Sequence, residues 1–164
     1  PICFENVKWA YELGAAIAMK EGAKSAAEAA KPYGIWVGVH STYHHFTTKY
    51  GGKTAWDAMF EEASPLLQQQ IDTGNTFHTG QDVVALLKQY PGRHFSVHLK
   101  ENDPTKTAVL GEKVLDGGKQ VPWDAVLGQL KREADLRWCV VECEMLPDTI
   151  EPLVASAKFL EGRI

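Results

Sequence analysis

The stretch "LLQQQIDTGNTFH", residues 66–78, decides the fold. Side chains alternate across a strand with period two. Leu67, Gln69 and Ile71 therefore share one face, and Gln68, Gln70 and Asp72 the other. The run ends in an acid at the strand's last residue, and Thr73-Gly74-Asn75 follows as an expected turn. The arrangement recurs in "IWVGVH" (35–40), "HFSVHLK" (94–100) and "WCVVECE" (138–144). Ile35, Val37 and Val39 oppose Trp36, Gly38 and His40. Phe95, Val97 and Leu99 oppose His94, Ser96, His98 and Lys100. Cys139, Val141 and Cys143 oppose Trp138, Val140, Glu142 and Glu144. Each strand has a largely aliphatic face suited to lying under helices, and a polar face that ends in a group able to bind a metal. Polar faces on parallel strands covered by helices on both sides are costly. A closed barrel tolerates them, because inward residues at its mouth open into an active site.

Helical and strand-like segments take turns along the chain. The pattern predicts helices over 5–14, 24–31, 53–63, 82–90, 122–134 and 149–162. Thr54 and Asp57 are spaced as a capping box, Pro122 suits a first helical turn, and Asp148 or Thr149 caps the last helix. Besides the four strands above, "AAIAM" (15–19) reads as a short buried strand. Such alternation argues for an α/β protein with a parallel sheet, open or closed into a barrel, and the polar strand faces favour the barrel, with 1–164 as a single domain. The irregular stretch 101–120 follows a strand and precedes a helix, the place of a substrate lid. Lys106, Lys113 and Lys119 lie on it, where solvated lysines are the commoner case.

With 164 residues, 45% apolar and 23% charged, the chain has the composition of an ordinary globular domain. A net charge of −4 gives no electrostatic reason to expect nucleic acid. The apolar runs are too short for a membrane span, and the first residues lack a signal peptide's layout. Cys139 and Cys143 in one strand are about 13 Å apart, beyond the reach of a disulfide. With Cys3 also unpaired, the expected compartment is the cytoplasm. The chain starts at Pro1, which leaves room for a processed or truncated N-terminus.

His40, Asp72, His98 and Glu142 supply two imidazoles and two carboxylates, a set suited to Mn, Zn, Co or Fe as divalent ions. A single strand-end histidine is more often structural than a ligand. Four ligand types in succession on the non-aliphatic face point to a metal site. His44 and His45 read as loop residues. His78 is expected on a loop, as a candidate substrate contact; Glu144 faces as Glu142 does, further out on the rim. Trp36, Trp138 and Gln70 are expected to fill the barrel interior or pocket wall.

On "IDTGN" (71–75), "DVVALLKQYPGR" (82–93), "VHLKE" (97–101), "VPWDAVLGQL" (121–130) and "VVECE" (140–144), the chain resembles the sugar phosphate isomerase/epimerase family of xylose isomerase-like barrels. The ending "IEPLVASAKFLE" is similar to that family's last helix. The resemblance implies that Asp72, His98 and Glu142 are metal ligands. Many members have a glutamate as first ligand; His40 matches that place best, followed by Ser41-Thr42 where some relatives have Asn-His. The first glutamate of a two-glutamate proton exchange is thereby replaced by a histidine. Glu142 remains as a catalytic base, and Lys100 as the group for a substrate oxygen or enolate. The substrate-binding set is then His78, Glu144 and Trp36.

A (β/α)8 barrel takes about 250 residues. This chain matches about the last five βα units, so the remaining strands are expected from a longer chain or from another chain, as a homo-oligomer or a partner. The function expected is a metal-dependent sugar or polyol isomerase or epimerase, acting by proton abstraction next to a carbonyl. The alternatives are a dehydratase of the same family and a non-catalytic partial barrel. A metal-dependent endonuclease of similar fold calls for more ligands and a basic surface.

Overall fold

The computed structural model describes residues 26–61, 63–103, 109–112, 119–143 and 150–164. The helix expected over 5–14, the strand over 15–19, Cys3, Lys106, Lys113, Glu144, Asp148 and Thr149 lie outside them. Among the described residues, 26–30 are helical and run into a 3-10 turn, Lys31–Tyr33. The elements that follow are β1 (Val37–His40), α1 (Tyr43–Thr47), β2 (Lys49–Tyr50), β3 (Lys53–Thr54), α2 (Ala55–Glu61) and β4 (Leu67–Asp72). The chain continues with α3 (Thr73–His78), α4 (Val83–Gln89), β5 (Ser96–Leu99), α5 (Trp123–Leu130), β6 (Trp138–Val141) and α6 (Glu151–Leu160).

Four strands form one sheet in the order β1-β4-β5-β6. β4, β5 and β6 run parallel, with Asp72 opposite His98 and His98 opposite Val140. Each strand of this register is followed by a helix, the right arrangement for parallel neighbours. Ser41 N–H donates to the Gln70 carbonyl at 2.9 Å and fixes the end of β1 beside β4. Glu142 N–H donates to the Leu99 carbonyl at 3.0 Å, so the ladder runs one residue past β6.

By its internal contacts the chain divides into two compact units, 1–39 with 44–68, and 40–43 with 69–164. In the first, Trp56 is fully buried and packs against His45, Phe46 and Phe60. Thr54 Oγ accepts from Asp57 N–H and donates to its carboxylate, so the expected cap starts α2. In the second, Ile71, Val97 and Leu99 are fully buried, and Val83, Leu86, Leu87, Val126, Leu127 and Leu130 are buried too. These apolar residues recur at helical spacing on α4 and α5, which pack on each other.

Several expectations need correction. Thr73-Gly74-Asn75 is the first turn of α3, because the Asp72 carboxylate accepts from Asn75 N–H at 2.8 Å and caps a helix there. His78 is accordingly the last residue of a helix, and His44 and His45 lie in α1, His45 buried. β1 begins at Val37, and Ile35 precedes it, exposed. Trp36 and Trp138 are 54% and 65% exposed and fill no interior in the described residues. The last helix starts after Ile150, without a side-chain cap. The hairpin β2–β3 was not expected, although Gly51-Gly52 signals it: both have positive φ, 56° and 87°, as a tight hairpin turn requires. Cys139 and Cys143 are free thiols, as expected. No helix among the described residues is long and apolar enough to cross a membrane.

Candidate metal centre

The strand ends gather the four expected ligands within the second unit. One donor atom each from His40, Asp72, His98 and Glu142 lies within 4.8 Å of the others. His40 Nε2 is 3.7 Å from Asp72 Oδ2, and His98 Nδ1 is 2.5 Å from Glu142 Oε2. The two imidazole rings are 4.5 Å apart between centroids. Asp72 is fully buried, while the other three keep partial solvent access.

The surroundings orient these side chains. Gln70 donates through Nε2 to Ser96 Oγ at 2.8 Å, which turns its carbonyl oxygen toward His40. His40 Nδ1 donates to that oxygen at 3.1 Å. Its proton is thereby on Nδ1, and the Nε2 lone pair faces the Asp72 carboxylate. Burial, and after it the nearby His98, lowers the His40 pKa, so the ring is neutral at pH 7. A neutral imidazole nitrogen and a carboxylate oxygen 3.7 Å apart are both ligand types for a divalent cation. An imidazole whose other nitrogen donates to a fixed carbonyl is also the usual support for a metal-bound histidine. On both grounds this N2O2 set fits a divalent metal ion. Burial pushes the Asp72 carboxyl up to about 6, against the pull of Asn75 N–H and Lys100.

Lys100 completes the cluster. Its side chain is almost fully buried, with Nζ 3.0 Å from Glu142 Oε1, 3.5 Å from Asn75 Oδ1 and 3.9 Å from Asp72 Oδ2. The Thr73 hydroxyl accepts from Lys100 N–H at 2.9 Å and donates to the Lys100 carbonyl at 2.7 Å, clamping its backbone. Gly74 makes this approach possible: a Cβ there would lie 2.5 Å from the Glu101 carbonyl oxygen and 2.9 Å from Lys100 Cγ.

Of the expected substrate contacts, His78 is exposed at the end of α3 and hydrogen-bonds Asn102. Glu144 lies outside the described residues, and Trp36 belongs to the first unit. Sequence reading missed Ser41, whose Oγ accepts from Asp72 N–H at 2.7 Å, and the supporting roles of Gln70 and Thr73. Gln70 and Ser96 share a face by strand parity and pair across β4 and β5, a signal available only once the register is known.

The family model for the xylose isomerase-like TIM barrel matches residues 7–162. The chain belongs to that family. Its parallel sheet is thus part of a (β/α)8 barrel. Inosose dehydratase of Salmonella typhimurium is 29% identical over 152 residues, covering 84% of this chain and 50% of that protein. Inosose dehydratase of Bacillus cereus is 28% identical over 144 residues, covering 77% and 48%. A sugar phosphate isomerase/epimerase from Parabacteroides distasonis superposes with a TM-score of 0.69 at 19% identity, covering 90% of this chain and 54% of that one. A D-tagatose 3-epimerase-like protein gives 0.60 at 16% identity, covering 99% and 58%. These superpositions speak for the fold alone. The chain spans about half the length of the proteins it matches.

Proposed function

We propose that the chain carries the metal-binding half of a sugar or polyol isomerase or epimerase that works by proton abstraction next to a carbonyl. The observation that carries this reading is the N2O2 cluster with a buried lysine against one of its carboxylates. His40, Asp72, His98 and Glu142 would hold the ion, as Mn, Zn, Co or Fe. Bound there, a divalent metal supplies Lewis acidity to the substrate's carbonyl oxygen.

The chain's own residues do the rest. The Glu142 carboxylate takes the proton from the carbon beside the carbonyl as that C–H bond breaks. The electron pair moves toward the carbonyl oxygen, and the Lys100 ammonium donates to the oxygen that gains charge. Return of the proton to the former carbonyl carbon, with the hydroxyl proton of the deprotonated carbon passing to the former carbonyl oxygen, isomerises the substrate; return of a proton to the opposite face of the same carbon, from another acid, epimerises it. Departure of a β-hydroxyl, protonated by the same acid, gives water and a dehydrated product. The inosose dehydratases among the relatives favour this last outcome as the second reading. Residues 1–164 form one part of the barrel in this reading, and the remaining βα units come from a longer chain, a second copy or a partner. His78, Glu144 and Trp36 are its proposed contacts to sugar hydroxyls. Neither nucleic acid nor membrane enters the reading.

The test is metal content per chain, measured by elemental analysis on protein purified without added metal, beside Asp72→Ala and His98→Ala. About one transition metal in the wild type, lost in both variants, is the expected result, followed by solvent deuterium exchange into ketohexoses and inososes. A folded wild type that takes up no added metal would overturn the reading.

A further inference from the structure

Beyond the cluster, a chain of fixed hydrogen bonds runs from the end of β5 to the rim. It starts at Glu101, a carboxylate with 3% exposure. Oε1 accepts from Asn102 N–H at 3.0 Å and Val121 N–H at 2.9 Å, and Oε2 from Gly111 N–H at 3.1 Å and the Trp123 indole at 2.5 Å. Four donors saturate it without a cation, which ties segments 101–103, 110–112 and 119–123 to one another. A buried anion held this way is rigid, because releasing any donor strands a polar group.

Asn102 inherits that rigidity. Its backbone is held by Glu101, and its Nδ2 donates to the Lys119 carbonyl at 2.7 Å. A carbonyl only accepts, so the amide nitrogen must face Lys119 and Oδ1 must face the other way. There Oδ1 meets His78 Nδ1 at 3.1 Å. An amide oxygen likewise only accepts, so the His78 proton sits on Nδ1. The Tyr43 ring lies 6.1 Å from the imidazole, between centroids. Nε2 is left as the acceptor on an exposed side chain. His78 is six residues beyond Asp72 on α3, about 9 Å along the helix axis. A six-carbon polyol held at the strand ends reaches that far.

We propose that Asn102 is a positioning residue for substrate recognition: it locks His78 in the Nδ1–H tautomer, so that Nε2 accepts a hydrogen bond from a hydroxyl of the substrate. The proposal rests on the sugar or polyol reading of the site. It accounts for specificity, since the Nε2 of the Nδ1–H tautomer accepts from a hydroxyl and offers no proton to a carbonyl or carboxylate oxygen at that position.

The test is long-range ¹H–¹⁵N correlation of the histidine rings in the Zn²⁺-loaded chain at pH 7.5, for wild type, Asn102→Ala and Asn102→Asp. In the wild type the His78 proton should be on Nδ1. In Asn102→Ala it should shift toward Nε2, with the other histidines unmoved. Asn102→Asp keeps an acceptor and should keep the proton on Nδ1. Titration with D-fructose and with myo-inositol should move the wild-type Nε2 resonance for at least one of them, with about tenfold weaker binding in Asn102→Ala. An Nε2–H tautomer in the wild type, or a tautomer unchanged in Asn102→Ala, overturns the locking. A locked ring whose Nε2 resonance neither polyol moves overturns the recognition. Absence of zinc binding sinks the function reading instead, and the tautomer is then read on the metal-free chain.

Discussion

Asp72 carries two duties that conflict. It caps α3 and stands buried in the cluster, and burial drives its carboxyl up to about 6 from the ordinary value near 3.8. A raised acid pKa means that the fold prefers the protonated form. The stability it gives the metal-free protein is complete below about pH 4 and is lost as pH rises through 6. A shift of about two units corresponds to about 3 kcal/mol at most. His40 works in the opposite sense: its lowered pKa makes the neutral ring the favoured one, so its contribution is lost as pH falls below about 6.5. Asp72→Asn separates the two, because asparagine keeps the cap and removes the charge. We expect Asp72→Asn to melt higher than wild type at pH 8 when both are metal-free, with no gain at pH 4, in thermal unfolding followed by circular dichroism. Metal affinity of the wild type should in turn weaken below pH 6, as protons compete for Asp72.

Lys100 gives a second prediction at this scale. Its ammonium stands 3.0 Å from one candidate ligand and 3.9 Å from another and repels any ion they hold. Charges a few ångströms apart interact by about 1–4 kcal/mol at effective dielectric constants between water and protein. Lys100→Met should therefore bind Mn²⁺ about tenfold more tightly in calorimetric titration, while turnover falls by about 100-fold or more. Tighter metal with lost turnover marks the lysine as acting on the substrate; weaker metal would mark it as support for the ligands.

At the scale of elements, what could be read from the sequence was whatever depended on strand parity. Residues 40, 72, 98 and 142 share the polar face because period two leaves no other choice, and the structure brings all four together. The α3 helix was hidden because Thr-Gly-Asn is turn chemistry in isolation, and only the capping carboxylate of Asp72 recruits it into a helix. Glu101 was invisible for another reason: its four donors come from residues 102, 111, 121 and 123, and no local pattern relates them. Trp36 is 54% exposed: parity places a residue on a face without saying whether anything covers that face. The junction of β4 with α3 also yields a prediction. Gly74→Ala drives a methyl into the Glu101 carbonyl and Lys100 Cγ and should cost about 1–3 kcal/mol in urea unfolding. It should also reduce turnover more than metal content, because Lys100 is displaced and the four ligands are not.

At the scale of the whole molecule, the sheet order leaves β1 and β6 with one strand neighbour each among the described residues. The polar face of β6 also carries Val140, 40% exposed. Unpaired edges of parallel strands and open apolar faces favour association. We expect the isolated chain to associate reversibly with rising concentration in sedimentation velocity, and Val140→Lys to shift it toward monomer. Family membership over residues 7–162 and a span of about half of each relative fit the same expectation.

Trp138 opens β6 with 65% of its surface in solvent, in register with Ser96 of the neighbouring strand. An indole in water emits at longer wavelength than one among side chains. If further barrel strands close over this face, Trp138 passes from one environment to the other, and its emission moves to the blue by an amount that Trp138→Phe subtracts from the signal of the other tryptophans. Trp138 is thus an optical gauge of closure, one that responds to whatever covers the sheet edge whether or not substrate is present.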